Sequence, residues 1–461
     1  MTKQTVAVIG GGISGLCAAF ALHKRGRPYV LLEASDRFGG VIRTEAEGGF
    51  VLEAGPDSML AQKPQGLELC RELGLGERLV PTNPETRNVF VLHRGTLHAL
   101  PDGMMLAVPT RVLPMVRTRL FSWPGKLRMG LDLVLPGRAG NDDESIASFL
   151  RRRFGQEAVD RLGEPLLAGI HAGDPERLSI LATFPRLREL ERTRGSLVRA
   201  TRRGPSSRRP GEAPPAAFYS LRCGLAELVS ALVQKLEPAS LRTRAAVVEV
   251  GRHDEAFELR LESGERVPAG SVVVAAPGPR IAKALAGLVP ESSGVLSSVP
   301  FASTATILLG FKRVDVRHPL DGYGLVVPAS ERLRTNALSF VSTKLPFRAP
   351  EGHVLLRAFV GGVRDPGALS LSDDGMIETV MREMSGVLGL GGRPVMSRVF
   401  RWPSSTPQLE VGHLERMRRV EREIATVRGL FLTGAGVRAT GIPDMVADGT
   451  RAGEAAAESR A

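Results

Sequence analysis

The stretch Val6-Ala7-Val8-Ile9-Gly10-Gly11-Gly12-Ile13-Ser14-Gly15-Leu16, followed by Tyr29-Val30-Leu31-Leu32 and Glu33, decides how this chain must fold. Four apolar residues ending at a glycine turn read as a strand buried on both faces. Ile13, Leu16, Cys17 and Phe20 recur at helical spacing, and Gly26 suits the left-handed position just past a helix end. Strand, turn, helix and strand therefore carry G-x-G-x-x-G at the first turn. Gly10 permits the tight turn, Gly12 lets the backbone approach a pyrophosphate, and Gly15 lets the helix pack on the strand. The helix N-terminus at Ile13 and Ser14 offers unpaired N–H groups to phosphates, and Glu33 can accept hydrogen bonds from a ribose diol. A secretory signal is the competing reading of this stretch, but glycine and polar positions interrupt it and Glu33 would have no role.

A second glycine cluster, Arg37-Phe38-Gly39-Gly40-Val41-Ile42-Arg43-Thr44, extends the anion-binding surface and points to a longer dinucleotide than NAD alone requires. Phe50 to Glu53 forms another short strand, ending at Gly55-Pro56. Positions 66–80 read as a helix with Leu67, Leu69, Cys70 and Leu73 as its apolar face, and Phe90 to Leu97 as a hairpin. A helix from Gly224 leads into Ala245–Val250, two alternating strands, and the fully apolar Ser271–Val274. Strands at Ala305–Phe311, Gly324–Val327 and His353–Val360 and a helix over Gly375–Leu388 follow, and Arg401-Trp402-Pro403 brings a rare tryptophan to a turn. Near the end, Leu430-Phe431-Leu432 runs into Gly434, and Thr440-Gly441-Ile442-Pro443 opens a last helix, with proline suited to its first turn.

Composition narrows the function. Of 461 residues 43% are apolar, enough for substantial cores. Cys17, Cys70 and Cys223 lack pair spacing, which argues against a disulfide framework or zinc site, and His93 and His98 match no ligand pattern. No metal is expected. A net charge of +12 requires an acidic partner to be weighed: nucleic acid, an anionic membrane surface or an anionic small molecule. Three Tyr and two Trp are too few for stacking platforms, so no nucleic acid is expected. No spanning helix is expected either. Residues 101–136 mix Met104, Leu113, Leu120, Phe121, Trp123 and other apolar residues with Arg111, Arg117, Arg119, Lys126 and Arg128, which fits an interfacial helix or an inward-packing helical subdomain. Arg199, Arg202, Arg203, Arg208 and Arg209, interleaved with prolines, read as a mobile basic linker able to touch lipid phosphates.

R-x-G-G-x-x-x-T after G-x-G-x-x-G, then an acid before a Gly-Pro turn, resembles the FAD-dependent amine oxidase superfamily and, within it, the porphyrinogen oxidases. The resemblance runs the full length. It implies an α/β and α+β fold: a Rossmann-like FAD-binding domain from 1–80, 216–292 and 428–461, a mixed-sheet substrate domain from 81–98 and 293–427, and a helical membrane-associating domain from 99–215. It implies that Gly10, Gly11, Gly12, Ile13, Ser14, Gly15, Glu33, Ala34, Arg37, Gly40, Val41, Arg43, Gly55, Pro56, Asp57, Ser58, Val248, Trp402, Thr440, Gly441 and Ile442 hold FAD, with Val248 beside the adenine and the Gly441 helix end against the flavin. Val326 and Phe359 would wall the substrate pocket. One departure concerns the residue after Glu-x-Gly-Pro, an arginine in plant and animal members and Asp57 here; a carboxylate cannot anchor a carboxylate, so Arg94 or another base takes that part.

The resemblance implies six-electron oxidation of protoporphyrinogen IX by molecular oxygen, with coproporphyrinogen III left open as the substrate. An amine oxidase or desaturase of the superfamily is the alternative, and a non-catalytic flavin- or membrane-binding scaffold a more distant one. No Ser/His/Asp unit or reactive Cys motif is present, and no catalytic base is nominated. The protein is expected in the cytoplasm, peripherally bound to anionic lipid at the membrane's cytoplasmic face; a homodimer is left open.

Overall fold

The structure is a computed structural model that describes residues 5–105, 108–140, 142–202, 216–253, 256–438 and 440–459. Its first layer is a parallel five-stranded sheet in the order Leu241–Arg242, Tyr29–Leu32, Val6–Ile9, Ser271–Val274, Leu430–Leu432. Val6 pairs with both Tyr29 and Ser271, so segments more than two hundred residues apart are adjacent strands. Alternate side chains serve two cores. Val6, Val8, Leu31 and Val273 pack under the helices Ile13–Lys24, Ala226–Lys235 and Ile442–Glu458. Ala7, Ile9, Leu32, Val272 and Val274 face the antiparallel meander Val247–His253, Ala256–Leu261, Arg266–Ala269 and the helix Gly278–Leu285. Burial on both faces explains the unbroken apolar runs.

A seven-stranded mixed sheet follows, in the order Met396–Pro407, Phe301–Lys312, His353–Gly361, Thr335–Phe340, Gly324–Val326, Val89–His93, Thr96–Ala99. One face is sealed by the helix Asp373–Leu388 through Met376, Val380, Met384 and Leu388. The opposite face meets Phe50, Leu52 and Ala54 at one end. At its other end it meets a helical assembly whose core includes Met115, Phe121, Phe149, Leu150, Leu162 and Leu167. Within that assembly Arg153 and Asp132, both inaccessible to solvent, form an ion pair; Ser196 Oγ (2.7 Å) and the Val198 N–H (2.9 Å) complete the carboxylate's partners.

Three local expectations change. The helix expected over 66–80 is Gln65–Glu72, because Gly74 turns left-handed at φ +80° and the chain re-emerges as the strand Leu79–Pro81. Trp402 lies inside the strand Met396–Pro407 rather than at a turn; that strand is a sheet edge, where Pro403 costs no ladder bond. Arg199 and Arg202 belong to the helix Leu197–Arg202 rather than to a linker, whereas Arg203, Arg208 and Arg209 lie outside the described residues. Among the described residues no helix is long and apolar enough to cross a membrane.

Candidate functional site

The fingerprint glycines act by what their neighbours leave no room for. Gly10 has φ +105°, and a Cβ there would sit 2.9 Å from the Ala276 nitrogen. A Cβ on Gly15 would overlap the Gly10 carbonyl, so the helix Ile13–Lys24 can approach the strand only with glycine there. A Cβ on Gly12 would meet nothing within 4 Å, which leaves its backbone facing open space at the helix N-terminus. Ser14 Oγ is buried there without a partner. An orphaned hydroxyl, unpaired first-turn N–H groups and an open cradle fit a bound pyrophosphate.

Glu33 is fixed for its expected task. One carboxylate oxygen accepts from the Gly11 N–H at 2.6 Å, the other from the Ser35 N–H at 2.8 Å, and each keeps lone-pair capacity for a ribose hydroxyl. Ala34 lies between these two contacts. The backbone of Arg244 and Ala245 bonds to the Ser35 and Glu33 carbonyls (2.8 Å each), which ties the chain leading to Val248 to this corner. The meander's register shifts between Val247 and Glu249, so Val248 is skipped by the ladder, a geometry suited to backbone recognition of a base edge.

The second glycine cluster folds onto the first. The Gly39 N–H donates to the Gly11 carbonyl at 2.8 Å, and a Cβ on Gly40 would lie 3.3 Å from Gly12 Cα. Gly55 comes so close to the Val41 carbonyl that no side chain fits between them. Gly12, Gly40, Val41 and Gly55 thus form one continuous backbone wall, with Pro56 at its end. Arg37 is used within the loop, donating to the carbonyls of Phe38 (3.3 Å), Gly40 (2.5 Å) and Ile42 (3.2 Å). Arg43 reaches Glu45 at 2.5 Å and lies 5.4 Å from the centre of the Phe400 ring.

The far end of the chain packs against the fingerprint helix. Gly441 caps the helix Ile442–Glu458, Thr440 precedes it, and Pro443 stands in its first turn. Side chains at Gly449 and Gly453 would run into the backbone of Ser14 and Ala18, so two glycines one turn apart lock this helix against the fingerprint helix. Gly436 has φ +83° and abuts Phe301 and Pro407.

Beyond the Gly55 turn, the seven-stranded sheet presents Val326, Ala337, Phe359, Thr306 and Phe400 in register on adjacent strands. Gly169, on the helix Glu164–His171, packs against this row; a Cβ there would lie 3.3 Å from Ala337 and 3.6 Å from Val326. The Ala54 carbonyl accepts from Thr306 Oγ1 and Trp402 Nε1, both at 2.8 Å. Trp402 therefore touches the wall from the sheet side. Arg94 is exposed in the hairpin turn after Val89–His93, where its backbone N–H donates to Glu331 at 2.8 Å; the sheet row does not include it.

The sequence reading missed Lys344, Arg348 and Arg357. Lys344 Nζ meets both Asp57 oxygens at 2.8 and 2.9 Å and Ser58 Oγ at 3.1 Å. Burial pushes the Asp57 pKa up, but Lys344 and Arg357 outweigh it and hold the carboxyl well below its ordinary range. The substituted position thus carries its own cations. Arg348 pairs with buried Glu53 at 3.1 Å, whose pKa burial raises. The available signal was Arg357 itself, a lone charge in Val354-Leu355-Leu356-Arg357-Ala358-Phe359-Val360.

Comparison with known proteins agrees with this geometry. The family profile described as flavin containing amine oxidoreductase matches residues 13–459. A coproporphyrinogen III oxidase of Bacillus subtilis is 36% identical over 98% of this chain and 97% of its own length. A chloroplastic protoporphyrinogen oxidase of Nicotiana tabacum is 29% identical over 93% of this chain and 80% of its own. A crystal structure of a protein from Exiguobacterium superposes with a TM-score of 0.87 at 31% identity, covering 99% of both chains.

Proposed function

The chain belongs to the flavin-containing amine oxidoreductases and is an FAD-dependent oxidoreductase, and from that premise we propose that it oxidises a porphyrinogen, with coproporphyrinogen III as substrate and coproporphyrin III as product. The observation that carries this choice is the end-to-end similarity to the Bacillus coproporphyrinogen III oxidase. Protoporphyrinogen IX is the second reading, favoured by the tobacco relative.

FAD, when bound, would accept two electrons per round and pass them to molecular oxygen. Three rounds remove six electrons and six protons from the macrocycle and form three molecules of hydrogen peroxide. Gly10 to Gly15, Glu33 and Val248 would hold its ADP half, and the wall from Gly40 to Gly55 with the Gly441 helix end would hold its ring system. Positive potential at that helix end stabilises negative charge by about 0.3–1 kcal/mol, and by more where water is excluded. Half-buried Phe359 would offer an apolar wall to the macrocycle, whereas Val326 and Ala337 are already covered by the helix that carries Gly169. Pyrrole N–H protons can leave to solvent, so no general base is assigned.

The division into FAD, substrate and helical domains follows the two sheets and the helical core, and is proposed with the boundaries given above. The helical domain is proposed to rest on anionic lipid at the cytoplasmic face of the membrane. Its short helices Val112–Arg117 and Trp123–Gly130 expose Leu113, Trp123 and Leu127, while Lys126 sits 4.5 Å above the Trp123 ring.

The deciding experiment is anaerobic bleaching of the bound flavin by each porphyrinogen in turn. Fast bleaching by coproporphyrinogen III is expected. Faster bleaching by protoporphyrinogen IX would move the assignment to the second reading, and bleaching by amines alone would overturn both.

A further inference from the structure

Five ionisable groups are buried or nearly so around the turn from Glu53 to Ser58, and their charges do not cancel. Glu53 is paired with Arg348 at 3.1 Å, and Asp57 with Lys344 at 2.8 Å. Arg357 is the third cation against two acids. Its Nη1 is 4.0 Å from Asp57, a carboxylate that also accepts from Lys344 and Ser58 at closer range. Its Nη2 donates to the Gly55 carbonyl and more weakly to that of Ala54 at 3.4 Å. The guanidinium lies 4.7 Å from the centre of the Phe359 ring, and Nε is buried with no partner. Only 4% of this residue is exposed. Burial works against its charge, and the carboxylates of Asp57 and Glu53 work for it; a guanidinium stays protonated in such surroundings.

A surplus buried charge is costly unless something compensates it. Among the described residues the nearest acid is Asp57, 4.0 Å away and shared with Lys344, so the compensation is partial and one positive charge remains in surplus. The carbonyls that Arg357 grips belong to Ala54 and Gly55, and Gly55 lies against Val41 in the backbone wall of the cofactor cradle. The free positive charge therefore stands directly behind that wall.

We propose that Arg357 is a positioning residue for the flavin: it clamps the Ala54–Gly55 turn by its carbonyls and leaves a surplus positive charge behind it, favouring the reduced cofactor. After taking up two electrons and one proton the ring system carries one negative charge, which the oxidised form lacks. A fixed cation behind the wall stabilises the reduced state selectively, because only that state has charge to meet it. Asp57 acts in the opposite sense, and Lys344 offsets Asp57. The substitution of an acid at position 57 thus trims the local potential without abolishing it.

The inference rests on the flavin and not on the identity of the porphyrinogen, so it is tested without substrate. The FAD-loaded full-length protein is titrated with dithionite against a redox dye, and the midpoint potential is read for wild type, Arg357→Gln, Arg357→Lys and Asp57→Asn. Arg357→Gln should shift the potential to more negative values, and Arg357→Lys should restore most of the shift. Asp57→Asn should shift it to more positive values, an opposite sign that loosening of the turn would not produce. Should Arg357→Gln lose the cofactor, the Asp57→Asn shift alone decides. Equal potentials in all four proteins, or a negative shift in both neutralising variants, would overturn the proposal. So would an unchanged potential with a raised KM for coproporphyrinogen but not for its methyl ester, which would assign the charge to a substrate carboxylate.

Discussion

Trp402 Nε1 donates to the Ala54 carbonyl at 2.8 Å, joining an edge strand of the seven-stranded sheet to the turn that carries Gly55. The same oxygen receives Thr306 Oγ1, so the sheet grips the cofactor wall from two neighbouring strands. Trp402→Phe keeps most of the ring and removes one donor. A net loss of about 0.5–1.5 kcal/mol in stability is expected, since Thr306 still satisfies the carbonyl. Thermal unfolding of the FAD-loaded protein measures the stability loss. Release of flavin on dilution should accelerate, and unchanged release would show that the contact does not hold the wall.

Gly449→Val puts a branched side chain where the Ser14 backbone lies. The helix Ile442–Glu458 must then move away from the fingerprint helix, at a cost of about 1–3 kcal/mol or more. Because both helix ends border the cradle, purified protein should be colourless or should lose its flavin on gel filtration. Gly287→Ala, at a glycine whose Cβ would meet nothing within 4 Å, is the control.

His171 ends the helix whose Gly169 touches Val326 and Ala337, with its ring 5.9 Å from that of Phe184. Burial pushes its imidazole pKa down to about 4. The unfolded chain therefore binds more protons between its ordinary value of about 6.5 and pH 4, so stability falls as pH drops through that window. Urea unfolding of wild type and His171→Asn at pH 7.5, 6, 5 and 4 should show a shallower decline for the variant. Parallel curves would assign the acid sensitivity elsewhere.

Leu127 is 72% exposed on the helix Trp123–Gly130, next to Lys126. Leu127→Glu should leave unfolding unchanged within about 0.5 kcal/mol, as surface substitutions do. It should also reduce flotation with vesicles containing anionic lipid. Wild-type protein that fails to float at low salt would remove the membrane assignment.

The parallel sheet and its cradle were legible because their signals are local: an apolar run, glycines at fixed offsets and an acid one strand later. The spacing of the fingerprint glycines is readable locally, although the Ala276 backbone that crowds Gly10 lies far along the chain. The Arg357–Asp57–Lys344 cluster was not legible, since Lys344 and Arg357 reach Asp57 from 287 and 300 residues away along the chain. No periodicity records such a meeting. Trp402 was placed at a turn because proline follows it, and only the position of its strand at a sheet edge lets Pro403 continue the run. Arg37, expected to extend the anion-binding surface, also ties its own loop together through three carbonyls, a part that spacing does not record.

The cradle opens at Gly10 and is completed by a helix that begins at Ile442. During synthesis the first wall therefore emerges long before the partner that makes it useful. The strands at 271–274 and 430–432 must also arrive before the parallel sheet has both its neighbours. Such long-range pairing is slow and leaves unpaired strand edges exposed meanwhile. With the proposed site, the cofactor would be fully enclosed only once that helix is in place, late in folding. Supply of FAD should thus govern the yield of folded protein in a cell more than its rate of translation, with the cofactor acting as the last piece of the core.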